Sequence, residues 1–124
     1  MKKRAYVVDD DDVFVFLFKK ILEESQQFSS INHFYNGEKA LTVLIENYQK
    51  NDIPDVIFLD INMPVMDGWQ FLDQVEKLPF KQKLSIYIIS SSIDYVEIER
   101  AKKYKTVKDF ISKPISKDSL SFLK

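Results

Sequence analysis

The residues able to do chemistry in this chain follow short hydrophobic runs. Residues 5–8 lead into Asp9 and Asp10, residues 55–59 into Asp60, residues 85–89 into Ser90, and residues 107–111 toward Lys113 and Pro114. If each run is a strand of one parallel sheet, these side chains meet at its carboxyl rim, where open α/β sheets keep their functional crevice. Three carboxylates brought together repel one another and raise each other's pKa values, a conflict that a divalent cation removes. An all-oxygen donor set points to a hard, partly hydrated ion, Mg²⁺ before Ca²⁺. The ammonium of Lys113 adds a mobile positive charge suited to a phosphoryl oxygen, and the Ser90 hydroxyl can donate one hydrogen bond to the same group. Carboxylate, Mg²⁺, lysine and hydroxyl together form a site for phosphoryl transfer, in which positioning and charge neutralisation supply most of the catalysis.

The elements that must position these groups are legible as a pattern. The four runs are rich in Val, Ile, Phe and Tyr and a few residues long, as suits strands buried on both faces. Residues 30–35 form a weaker candidate, with apolar and polar residues roughly alternating. Between the runs lie stretches with helical spacing at 13–24, 38–49, 69–78 and 94–104, and a short one at 117–124 closes the chain. The series predicts a single α/β domain over residues 1–124, a (βα)5 doubly wound, five-stranded parallel sheet with helices on both sides. The two glycines, Gly37 and Gly68, precede the second and third helices and are expected at turns where positive φ is often required. Ser116 is a candidate N-cap for the last helix. In the first helix Phe14, Leu17, Phe18 and Ile21 cluster on one predicted core face, whereas Phe16 falls among charged residues as an exposed or docking side chain.

Composition excludes several classes. Hydrophobic residues make up 45% and charged residues 30% of 124 residues, the balance of an ordinary globule. The absence of cysteine excludes a disulfide scaffold, a cysteine-based zinc site and a thiol nucleophile, and it suits a reducing compartment. Eighteen basic against 19 acidic residues give a net charge of −1, which argues against direct nucleic-acid binding. The basic start, Lys2-Lys3-Arg4, is not followed by the apolar stretch of a signal peptide, because Asp9–Asp12 interrupts it. No run approaches the ~20 apolar residues of a membrane span. A cytoplasmic protein without membrane contact is expected.

With these residues in order, the sequence resembles the receiver domain of two-component response regulators, close in layout to the single-domain chemotaxis type. The matching pieces are Tyr6-Val-Val-Asp-Asp10, Val56-Ile-Phe-Leu-Asp-Ile-Asn-Met-Pro-Val-Met-Asp-Gly68, Ile88-Ile-Ser90 and Phe110-Ile-Ser-Lys-Pro114, and they span nearly the whole chain. The resemblance implies a flavodoxin-like strand order 2-1-3-4-5. It implies that Asp60 accepts a phosphoryl group from a histidine kinase or histidine phosphotransfer protein. Asp10 would bind Mg²⁺ directly, Asp9 directly or through water, and the Asn62 carbonyl would complete the protein ligands. Lys113 would contact one phosphoryl oxygen and Ser90 move toward another, followed by the rotamer of Phe110. The changed surface, around the fourth helix, fifth strand and fifth helix with Tyr104 and Phe110, would meet a downstream protein, and helix one with Phe16 would receive the phosphodonor. The Lys113-Pro114 bond is expected to be cis. Two positions depart from the commonest pattern: Ser90 stands for Thr and keeps the hydroxyl, while Ser91 stands for Ala or Gly and narrows access.

Blander readings stand beside these. Asp11 and Asp12 read as charges favouring a helix N-terminus. A slip of one residue in Ser90-Ser91-Ser92 would nominate Ser91. Phe110 could be core, and His33 receives no role. The Lys102, Lys103, Lys105 and Lys108 cluster reads as a solvated face, and Trp69 as packing near its loop. An alternative function is an aspartyl phosphatase of the haloacid dehalogenase type, but that motif needs a second Asp where this chain has Asn62, which cannot transfer the proton. A receiver that has lost its chemistry and only binds partners is disfavoured because no site residue is missing.

Overall fold

A computed structural model describes residues 2–91, 94–116 and 118–120. The short apolar runs become β1 (Lys3–Val8), β3 (Val56–Asp60), β4 (Ile86–Ser90) and β5 (Val107–Ser112), and the weak candidate becomes a full strand, β2 (Phe28–Phe34). All neighbours pair in parallel, in the order β2-β1-β3-β4-β5. β3 lies at the centre and is buried at all five positions, which is why its sequence is a continuous apolar run without alternation. β2 is an edge strand with a half-wet face, hence its mixed composition.

Among the described residues four α-helices connect the strands: α1 (Asp12–Glu24), α2 (Gly37–Gln49), α3 (Gly68–Val75) and α4 (Tyr95–Ala101), with 3₁₀ turns at Lys81–Lys83 and at 118–120. Each helix begins on an acidic or amide side chain that accepts a backbone N–H of its first turn: Asp11, Asn36, Asp67 and Asp94. Such caps are worth about 1 kcal/mol each. Asp11 and Asp12 thus serve the helix terminus, as the bland reading expected. Residues 76–78 and 102–104 fall outside helices, so the third and fourth stop earlier than the periodicity predicted. The expected helix at 117–124 lies largely outside the described residues. At its expected start, the Ser119 N–H donates to the Ser116 carbonyl.

Strand alternation sends side chains into two cores. Val8, Ile57, Leu59, Ile86 and Ile88 meet Leu44, Phe71 and Leu72 on one face. Val7, Phe58, Ile89 and Ile111 meet Val15, Phe18 and Leu22 on the other. The face of α1 follows the prediction in part: Phe18 is buried and Phe14 and Ile21 pack partly buried against this core, but Val15 and Leu22 are the other buried residues and Leu17 is 55% exposed. The apolar stripe is turned by about half of one ~100° residue step, which leaves Val13, Phe16 and Leu17 facing outward together.

The two glycines also correct an expectation, because neither has positive φ. Both are first residues of helices, and close approach is what excludes a side chain. A Cβ on Gly68 would lie 2.7 Å from the Asp60 carbonyl oxygen, and one on Gly37 would lie 3.0 Å from Met66 Cγ. Among the described residues the positive-φ positions are Gln26, Asn51 and Val65.

Candidate functional site

Parallel pairing brings the strand ends level. Val8 lies opposite Leu59, Asp60 opposite Ile89, and Ser90 opposite Ser112. The next residue after β1 is Asp9, and the next after β5 is Lys113. Carboxylate oxygens of Asp9, Asp10 and Asp60 consequently lie within 4.8 Å of one another. Asp9 is completely buried, Asp60 is buried and Asp10 is exposed, so the cluster opens to solvent on one side.

Asp9 is held from several directions. Its Oδ1 accepts the Asp11 N–H at 2.9 Å, its own N–H donates to the Phe34 carbonyl at 3.0 Å, and its Oδ2 lies 3.0 Å from Lys113 Nζ. That last contact is an ion pair without the alignment of a hydrogen bond, which leaves Oδ2 a buried acceptor lacking a hydrogen-bond donor. The Lys113 ammonium also sits 4.2 Å from the centroid of the Phe14 ring. Its backbone N–H donates to the Ser90 carbonyl at 3.0 Å, tying the end of β4 to the loop after β5. The Lys113-Pro114 bond is cis, as expected.

Burial pushes the Asp60 carboxyl up to about 6, with further upward contributions from the charges of Asp9 and Asp10. The Lys113 charge and the Asn62 N–H, 3.4 Å from Asp60 Oδ1, act the other way. An orphaned acceptor on Asp9, an all-oxygen donor set and a carboxyl raised partly by its acidic neighbours fit a hard divalent cation.

The structure brings together Asp9, Asp10, Asp60 and Lys113, and puts Ser90, buried, on the strand beside Asp60. Ser91 is exposed, so the buried hydroxyl of the pair is Ser90. Among the described residues Lys113 ion-pairs with Asp9 and with no other carboxylate. Asn62 follows the strand in the exposed loop. Phe110 is half-buried on β5 opposite Ile88. Two further residues were not found from sequence. Phe14 packs against the core as expected and also stands over the lysine, and His33 lies with Nε2 2.7 Å from the Asp9 carbonyl oxygen, where an Nε2–H tautomer donates. Nothing local marks either one, since both contacts join residues far apart in sequence.

Phe16 lies outside this group, 54% exposed on α1 with Lys20 Nζ 4.4 Å from its ring centroid. Tyr104 donates to Asp73 at 2.6 Å and stacks on Trp69, which lies under Arg100.

An open parallel α/β sheet with acids, a hydroxyl and a lysine at its carboxyl rim defines the class, and sequence comparison names it. Residues 5–122 match the response regulator receiver domain, and the chain belongs to that family. It is 28% identical over 120 residues to the chemotaxis protein CheY of Halobacterium salinarum, covering 97% of this chain and 92% of that protein. The crystal structure of a two-component response regulator from Cytophaga hutchinsonii superposes with a TM-score of 0.92 at 30% identity, over 99% of this chain and 95% of that one. A protein-glutamate methylesterase/protein-glutamine glutaminase from Methanospirillum hungatei is 34% identical over 99 residues, 79% of this chain. The chain spans 25% of that longer relative. The phosphatase alternative finds no support among these relatives, and position 62 remains an asparagine. The chain is a receiver of two-component signalling.

Proposed function

We propose that Asp60 is the phosphoacceptor of this receiver, taking the phosphoryl group from a phosphohistidine of a histidine kinase or histidine phosphotransfer protein, or from a small phosphodonor. The observation that carries this is the meeting of three carboxylates within 4.8 Å, one of them ion-paired to Lys113. An Asp60 carboxylate oxygen attacks phosphorus, the bond from phosphorus to the donor nitrogen breaks, and the imidazole departs and takes up a proton. Asp60 must be ionised to attack, so the charge of Lys113 and the Asn62 N–H assist by opposing its raised pKa. Lys113 is placed to neutralise a phosphoryl oxygen, and Ser90 to donate to another. Mg²⁺ held by Asp9, Asp10, Asp60 and the Asn62 carbonyl would supply further positive charge to the phosphoryl oxygens. The Asp11 and His33 contacts keep Asp9 in place for that role.

The product is a changed surface more than a released chemical. Contacts from the phosphoryl group to Ser90 and Lys113 favour one of two arrangements of the molecule, and Phe110, beside β4, follows Ser90. The readout lies around α4, β5 and the segment after it, including Tyr104, and a downstream protein binds there. Hydrolysis of the aspartyl phosphate at the same site resets it. Exposed Val13, Phe16 and Leu17 on α1 offer the phosphodonor an apolar strip. The whole chain, 1–124, acts as one receiver unit in the cytoplasm.

The test is labelling with acetyl phosphate and Mg²⁺, read by intact mass and by acyl-phosphate lability to hydroxylamine. One phosphoryl group is expected on the native chain and none on Asp60→Asn. Undiminished labelling of the variant would overturn the assignment.

A further inference from the structure

We infer that the cavity at the amino end of β4 and β5 binds a small, multiply charged phosphate anion of about the size of pyrophosphate. The cavity holds about 290 Å³ and is lined by Lys81, Gln82, Leu84, Lys105, Thr106 and Lys108. Leu84 and Thr106 are buried and form its floor, and three ammonium groups and an amide border it. No carboxylate lines it. Among the described residues, neither Lys105 nor Lys108 has an ion-pair partner, whereas Lys102 pairs with Glu99 and Lys113 with Asp9. Like charges gathered around one concavity raise each other's energy, and an anion relieves that.

The competing acids are accounted for. Glu76 flanks the cavity, 3.7 Å from Lys81 and accepting from the Thr106 hydroxyl at 3.3 Å, so it engages one of the three lysines. Asp109 follows Lys108 where β5 shifts register against β4; it lies opposite Tyr87, whose pKa is raised by burial and then by the Asp109 charge, and it does not line the cavity.

Lining chemistry narrows the ligand. Lysines act on phosphate as point charges, whereas planar carboxylates are best gripped by the arginine fork, which this cavity lacks. It also lacks an aromatic face on which a nucleobase could stack. Its volume is at the bottom of the range for ligand pockets, about 300–1,000 Å³. β4 is five residues long, so this site stands roughly 16 Å from the acidic rim at the other end of the sheet. It is therefore separate from the phosphoacceptor.

The experiment is a titration of the full ¹⁵N-labelled chain with sodium pyrophosphate in Mg²⁺-free buffer at fixed ionic strength, read by amide shifts. Saturable shifts centred on Gln82, Thr106 and Lys108 are expected, unchanged in Asp60→Asn. The double variant Lys105→Gln/Lys108→Gln should keep a native spectrum and lose about tenfold in affinity, as two partly exposed charge contacts imply. Equal affinity in the double variant, shifts that never saturate, or shifts abolished by Asp60→Asn would each overturn the proposal. So would tighter binding of a glutamate-rich peptide, which would identify the patch as a docking surface for an acidic protein segment.

Discussion

Lys113 Nζ stands 3.0 Å from Oδ2 of Asp9, so the carboxylate that follows β1 is held by the lysine that follows β5. Asp9 is wholly buried and Lys113 is 17% exposed, which makes this a largely desolvated pair joining the two ends of the chain. Removing one partner leaves the other charge stranded, at a cost of about 3–5 kcal/mol for a buried pair. Lys113→Met should therefore lower the stability of the metal-free protein by about 3 kcal/mol, the lower end because the lysine touches solvent. Urea denaturation in EDTA measures this, and added Mg²⁺ should recover much of the loss by substituting one positive charge for another. A variant as stable as the native chain in EDTA would show that the pair carries no weight.

The raised pKa of Asp60 gives a pH dependence of defined sign. The folded carboxyl titrates near 6 and the unfolded one near 3.8, so the folded state binds the proton more tightly. Metal-free stability from this group is full below about pH 4 and is lost as pH rises to 6. Asp60→Asn escapes that loss. The variant should gain on the native protein across this window, reaching about 2–3 kcal/mol above pH 6. Thermal melts in EDTA at pH 4 and pH 7.5 provide the comparison. A difference that does not widen with pH would contradict the raised pKa of Asp60.

The ring of Phe14 lies 4.2 Å from the Lys113 ammonium. A cation over an aromatic face is worth about 0.5–2 kcal/mol. Phe14→Leu keeps the apolar bulk and removes the ring, so a destabilisation of about 1 kcal/mol is expected. A double-mutant cycle with Lys113→Met isolates the coupling, and additive effects would refute it.

Gly68→Ala tests the close approach of α3 to the acceptor. Its Cβ would meet Asp60 and Ile61 backbone at 2.7 Å, whereas at Gly37 the contacts are 3.0 Å and include the flexible Met66 side chain. Gly68→Ala should cost about 1–3 kcal/mol and slow acetyl phosphate labelling, and Gly37→Ala should do distinctly less. The reverse order in denaturation and labelling would exclude the steric account.

Val65 has φ 67° and is exposed, and a β-branched residue in the left-handed region is strained by about 1–2 kcal/mol. Val65→Gly relieves the strain without emptying a core. A melting temperature raised by several degrees is expected, and an unchanged or lowered one would show the loop needs the side chain.

Much of this molecule is readable from its sequence because the site lies at strand ends. A buried parallel strand announces itself as an apolar run, and whatever polar residue terminates it is placed by the sheet, as with Asp9, Asp60 and Ser90. The same logic fails where tertiary contacts decide. Leu17 and Val15 are both apolar, and only the seating of α1 against Phe58 and Ile111 determines which one is buried. His33 and Phe14 look like an edge residue and a core residue, and their roles come from partners 24 residues back and 99 residues on. Gly68 stands at a helix start for want of space and not for a positive φ. A lack of space for Cβ leaves no trace in a local pattern, whereas turn chemistry does.

Acids gather where β1 and β3 finish, and among the described residues Lys105 and Lys108, without an ion-pair partner, stand at the start of β5 at the opposite end of the sheet. A chain of net charge −1 can thus be almost neutral in sum yet unevenly charged in space. An approaching macromolecule feels a torque before it feels a contact, and is turned toward one pole or the other according to its own charge. Encounter rates with charged partners should accordingly fall with added salt far more steeply than the near-zero total would lead one to expect.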